Sequence, residues 1–107
     1  NPYDTVQQNA VADLSRNAQL IGKFMEGGVL RKEDEEKYKK MLPSTQDTQD
    51  VALYKLQQIQ KMLQQKYDQY IQTYDELGYD VEGLSNPFQN QGGNMNATFD
   101  YLSNLGF

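Results

Sequence analysis

Chemistry in this chain must come from carboxylates, lysines, hydroxyls and phenols, because its 107 residues include no histidine and no cysteine. Zinc sites of the usual ligand types, thiolate nucleophiles, disulfides and imidazole acid–base catalysis are thereby removed together. Asp34, Glu35 and Glu36 form the densest acidic run, but they sit among Lys32, Lys37, Lys39 and Lys40. Carboxylates on such a helix face stay solvated and ionised. Asp47 and Asp50 form a lone acidic pair without a calcium-loop pattern around it, and helix capping explains them better. Paired catalytic carboxylates need a cleft between them, and nothing in the pattern builds one. No phosphate loop, nucleotide fingerprint or nucleophile elbow is present. The sequence therefore predicts a non-enzymatic chain with no cofactor, no metal and no small-molecule substrate.

The residues left with a task are aromatic. Tyr54, Tyr67, Tyr70, Tyr74 and Tyr79 combine large apolar area with a polar tip, a combination enriched where protein surfaces meet. Packing inside a helical hairpin is the plainer account of the same spacing. Stacking on single-stranded nucleic acid would require cations beside the rings. Only Lys55, Lys61 and Lys66 share that segment, and acids crowd its end. Direct nucleic-acid binding is disfavoured.

Helices must position these rings. Val11, Leu14, Ala18, Ile21 and Met25 recur in steps of three and four, which predicts an amphipathic helix over residues 5–26. Val6, Ala10, Leu20 and Phe24 widen its stripe, Asp4 or Thr5 caps its start, and Gly27-Gly28 ends it. Val29 and Leu30 should tuck back onto it. A short charged helix follows over residues 32–41, with Glu33–Lys37, Glu35–Lys39 and Glu36–Lys40 in the favourable acid-first order. Pro43 stops it. Asp47 or Thr48 then caps one long helix at about 49–77, with Leu56, Leu63, Tyr70 and Leu77 seven residues apart. Ala52 and Ile59 fill the intermediate positions, and Gly78 is the expected terminator.

Beyond it the composition changes. Residues 85–96 are rich in Asn, Gln and Gly and read as a flexible linker. Phe99, Leu102, Leu105 and Phe107 then form a short apolar segment, too short to be a stable helix by itself. The expected organisation is all-α: a helical hairpin or three-helix module over residues 1–84, then an extended tail over 85–107. Partner contacts are expected from Tyr67, Tyr70 and Tyr74 and from Phe99, Leu102, Leu105 and Phe107.

Charge is divided along the same line. Residues 1–66 hold all ten Lys and Arg against nine acids, whereas residues 67–107 hold six acids and no base. Solubility is one use of such an acidic end, and meeting a basic partner surface is another. Apolar residues make up 37% of the chain, too few for a large core, which favours completion by other subunits. No apolar run approaches the ~20 residues of a membrane span. Asn1 as the first residue fits a processed product or a piece of something longer.

The stretch Ile21-Gly22-Lys23-Phe24-Met25-Glu26-Gly27-Gly28-Val29-Leu30, then Tyr38 and Met41-Leu42-Pro43-Ser44, then Asp47-Thr48 and Val51-Ala52, resembles a helical segment of tailed-bacteriophage virion proteins. Those are internal, ejection-type or tail-associated chains. Lys55-Leu56 matches a Lys-Leu pair on the helix that follows, while Arg31 stands where that pattern carries a Ser or Thr cap. The resemblance covers about residues 14–63 and contains no catalytic positions. It implies a structural or assembly module of a phage virion, with other virion proteins or further copies of itself as partners. The alternative expectation is a helical adaptor or chaperone-like protein that holds a partner helix in a groove.

Overall fold

Two glycines and a proline decide where this chain turns, and the helices between them follow. The computed structural model describes residues 13–89 and 95–107. Among these residues the fold is all-helical, with α1 at Leu14–Glu26, α2 at Lys32–Met41, α3 at Gln49–Glu76 and α4 at Asn96–Ser103. The first helix starts later than the residue 5 expected from its stripe: Asp13, at φ −127° and ψ 51°, is not helical, so α1 begins at Leu14, and Val6, Ala10 and Val11 lie outside the described residues.

Gly27 ends α1 in the left-handed region at φ 76°, and the Gly28 amide donates to the Lys23 carbonyl at 2.7 Å. That closes the last turn as expected of a glycine C-terminus. Only half of the Val29–Leu30 expectation holds. Leu30 reaches back and is half-buried against the core, whereas Val29 is 75% exposed.

The α1–α2 pair is close because Gly22 has no side chain. A Cβ built there would lie 2.6 Å from Leu30 Cδ1 and 2.9 Å from Tyr38 Cδ2. Gly22→Ala would raise helix propensity by about 1 kcal/mol, but overpacking a core typically costs about 1–3 kcal/mol. The packing term dominates here, since the fixed Tyr38 ring cannot move aside. Chemical denaturation should show a lower midpoint for Gly22→Ala; a higher one would mean the helices are free to separate.

Polar contacts join the same pair. Glu35 accepts from Ser15 Oγ at 2.8 Å and from Gln19 Nε2 at 3.3 Å, and it lies 3.6 Å from Lys39. These hydrogen bonds, with the Lys39 charge behind them, hold its carboxyl below the usual range. The expected Glu35–Lys39 pair thus forms, and the carboxylate also ties α2 to α1. At the start of α2, Arg31 has no hydroxyl to offer, but Asp34 accepts from the Arg31 amide at 3.2 Å. Asp47 accepts from the Ser44 amide and from Lys55, each at 2.8 Å, so it organises the turn rather than capping α3. Thr48 is the cap, its Oγ1 accepting from the Val51 amide.

Tyr38 is buried beside Leu30 and Gly22, and its hydroxyl donates to Glu26 Oε2 at 3.3 Å. Burial first, and the Glu26 charge second, push its pKa up to about 12. The ordinary value is near 10, so the unfolded chain loses this proton first as pH rises. The stability it contributes is complete below about pH 10 and is lost through about pH 12. Thermal melts across that window should fall steeply for the native chain and less steeply for Tyr38→Phe. Parallel curves would remove Tyr38 as the source.

Ala52, Leu56, Ile59 and Leu63 of α3 form one buried stripe, and the last three share a core cluster with Ala18, Ile21 and Phe24 of α1. The chain after α3 does not run free. Asn86 donates from Nδ2 to the Gln64 carbonyl and to Asp68 Oδ1, both at 2.9 Å, while its own Oδ1 accepts from the Phe88 amide. Gln60 Nε2 donates to the Phe88 carbonyl at 3.3 Å. Pinned at these points, Phe88 is fully buried. Met95, Thr98 and Leu102 are buried too, as α4 packs against α1. Residues 86–89 are therefore docked on α3, where composition alone had suggested a flexible linker.

Candidate protein-docking surface

Among the described residues the long helix outlasts its cover. At ~1.5 Å per residue, its 28 residues span ~42 Å against ~20 Å for the 13 residues of α1. Full burial along α3 stops at Leu63. The stripe continues in sequence through Tyr67, Tyr70, Tyr74 and Leu77, spaced by three and four, with progressively less over it.

Here the structure gathers aromatic side chains from four parts of the chain. Phe88 packs edge-on to Phe24 and Tyr101, with ring centres 5.3 Å apart in each case, and to Tyr67 at 6.3 Å. Phe24 also meets Tyr70 edge-on at 5.3 Å, and the Tyr70 hydroxyl donates to the Phe24 carbonyl. Phe24, Tyr67, Tyr70 and Tyr101 of this cluster line an open groove of about 330 Å³, together with Ile71 and Tyr74 of α3 and with Phe107. Lys23 and Gly27 complete its lining at the end of α1. Burial holds the Tyr70 and Tyr101 phenols above their usual range. The Lys66 ammonium lies 5.1 Å from the Tyr70 ring centre, on the side of a second cleft shared with Glu26, Arg31 and Asp34.

The rim beyond the groove is apolar and open. Tyr74 is 50% exposed, Leu77 69%, Tyr79 63%, Leu84 56% and Phe107 47%. Tyr74 and Tyr79 steady one another edge-to-face at 5.6 Å, and the Tyr79 amide closes the helix end by donating to the Tyr74 carbonyl. Large apolar side chains clustered on one end of a small protein mark a contact surface more often than single scattered ones do.

Of the seven residues named from sequence as partner contacts, Tyr67, Tyr70, Tyr74 and Phe107 line this one groove. Leu105 is exposed near it in sequence, and Phe99 is half-buried against the core. Leu102 belongs elsewhere. It is fully buried within the chain's own core, so it has no surface left for a partner. Three-residue spacing placed it on the same stripe as Phe99 and Leu105, but the face of α4 at Leu102 is the one that meets α1. Phe24, Ile71, Tyr101 and Lys23 were not named from sequence. Ile71 follows Tyr70 directly and extends the α3 stripe, a signal present in the spacing. Nothing local connects Phe24 or Tyr101 to it.

Among the described residues no group of three or more acidic side chains is placed to hold a metal ion, and no helix there is long and apolar enough to cross a membrane. Comparison with protein-family models, with curated proteins and with solved structures finds no match to this chain.

Proposed function

We propose that this chain is a non-enzymatic docking module that binds a neighbouring protein subunit through the aromatic groove and the open end of α3. The single observation carrying this reading is the mismatch in length between α3 and the elements that cover it. It leaves Tyr74, Leu77, Tyr79 and Leu84 exposed together at one end. Tyr74 there adds contact area at little entropic cost, since α3 already fixes its backbone. The resemblance of about residues 14–63 to helical segments of tailed-phage virion proteins supports other virion proteins, or further copies of this chain, as the partner class.

Photo-crosslinking tests this reading directly. A benzophenone amino acid is placed at Tyr79 and, as a control, at Gln58 on the exposed polar face of α3. Irradiation of assembled particles should give one defined adduct from position 79, identified by mass spectrometry, and none from position 58. The purified partner should then lose binding to Leu77→Glu. Equal labelling from both positions, or a partner that binds Leu77→Glu normally, would overturn the assignment.

A further inference from the structure

The open end of α3 also breaks an electrostatic rule, and the break points to the chemistry of its occupant. A helix C-terminus carries roughly half a negative charge and is normally matched by Lys or Arg. The last turn of α3 has no basic residue and instead ends Asp75-Glu76. Asp80 and Glu82 follow within six residues of the helix end, and no Lys or Arg occurs anywhere from residue 67 onward. All four carboxylates are exposed. Asp75 and Glu76 stand against the dipole, Asp80 and Glu82 lie close behind them in sequence, and all four alternate along residues 74–84 with the exposed Tyr74, Leu77, Tyr79 and Leu84. Lys23 lines the groove at the end of α1, and Lys66 faces the second cleft beside Tyr70.

We infer that the occupant of this end is a cationic amphipathic helix of another protein, its apolar face on Tyr74, Leu77 and Tyr79 and its Lys or Arg residues against Asp75, Glu76, Asp80 and Glu82. This rests on the docking reading above and adds the charge and shape of the partner. A helix suits the site because the stripe from Tyr67 to Leu77 is itself straight and helical, ~15 Å long at ~1.5 Å per residue. Such a length accepts about three turns of a partner. Opposite charge at the rim would steer the encounter and fix orientation, while the rings supply contact area.

The test uses the full isotope-labelled chain and four synthetic 18-residue peptides, followed by NMR shift mapping and titration. Three peptides share one leucine face and carry Lys, Gln or Glu on the other; the fourth is a scrambled Lys peptide of equal charge. The Lys amphipathic peptide should bind at least tenfold more tightly than the other three, with shifts confined to residues 70–84. Its affinity should fall about tenfold or more between 50 and 500 mM salt, as screening shortens the Debye length to a few ångströms. The combined variant Asp75→Asn, Glu76→Gln, Asp80→Asn and Glu82→Gln should lose a similar factor while keeping its fold. If the Gln and Glu peptides bind this end as well as the Lys peptide, the cationic partner is excluded and docking survives. If the scrambled peptide matches the amphipathic one, only diffuse charge attraction is present and the inference fails. If no peptide shifts residues 70–84, the inference fails and the docking reading loses its support with it.

Discussion

Phe88→Ala is expected to lower stability by about 3–5 kcal/mol, the usual cost of emptying a phenylalanine site inside a core. The site has little freedom to collapse. Phe24, Tyr67 and Tyr101 touch the ring edge-on from three directions, and each is held by a different element. The backbone on either side is held as well, by Asn86 and by Gln60. For a domain of this size each kcal/mol is worth roughly 4–8 °C in Tm. Thermal melting followed by circular dichroism should therefore show a drop well above ~10 °C. A change of only a degree or two would show that residues 86–89 are not part of the folded core. Phe88→Leu should recover a large part of the loss, since it refills much of the volume.

Deleting residues 85–107 should have a still larger effect. The deletion takes Phe88, Met95 and Leu102 out of the core, all fully buried. Each such side chain contributes about 1.5–3 kcal/mol on burial. Their sum is comparable with the whole stability of a typical domain, ~5–15 kcal/mol. The cut also exposes the rings of Phe24 and Tyr67 and leaves Gln60 without the Phe88 carbonyl. The truncated chain should retain helical circular dichroism, because α3 is long, but lose its cooperative thermal transition. Light scattering should show it aggregating rather than dissociating. A truncated chain that melts like the full one would restore the reading of residues 85–107 as a detachable arm.

These two experiments fall where sequence and structure part. The helix ends were legible because their causes are local. Gly27 takes a left-handed conformation, Thr48 caps α3 through its own hydroxyl, and Pro43 excludes helix at the residue before it. The stripe of Ala52, Leu56, Ile59 and Leu63 was legible because a helix repeats every 3.6 residues whatever lies against it. Tyr67, Tyr70 and Tyr74 were legible as the continuation of that stripe for the same reason.

Phe88 was hidden for a different reason. It lies among Ser, Asn, Pro and Gln, and composition averaged over that stretch describes a linker. One aromatic anchor outweighs the average when a clamp such as Asn86 sets it against α3, and a clamp is a relation between residues about twenty apart. Leu102 shows the converse. Its spacing matched that of Phe99 and Leu105, but only contact with α1 decides which of the three faces inward.

By itself, then, the sequence determined where α1 ends, the extents of α2 and α3, the apolar stripe of α3 and the acidic character of everything after residue 66, since all of these depend on neighbours within a turn or two. Only the tertiary structure decided that α1 is too short to cover α3. It also decided that Phe88 and α4 close the core, and that Phe24, Tyr70, Tyr101 and Phe107 share one groove. The physical reason is range: propensity and periodicity act along the chain, whereas burial depends on which distant segment arrives to exclude water.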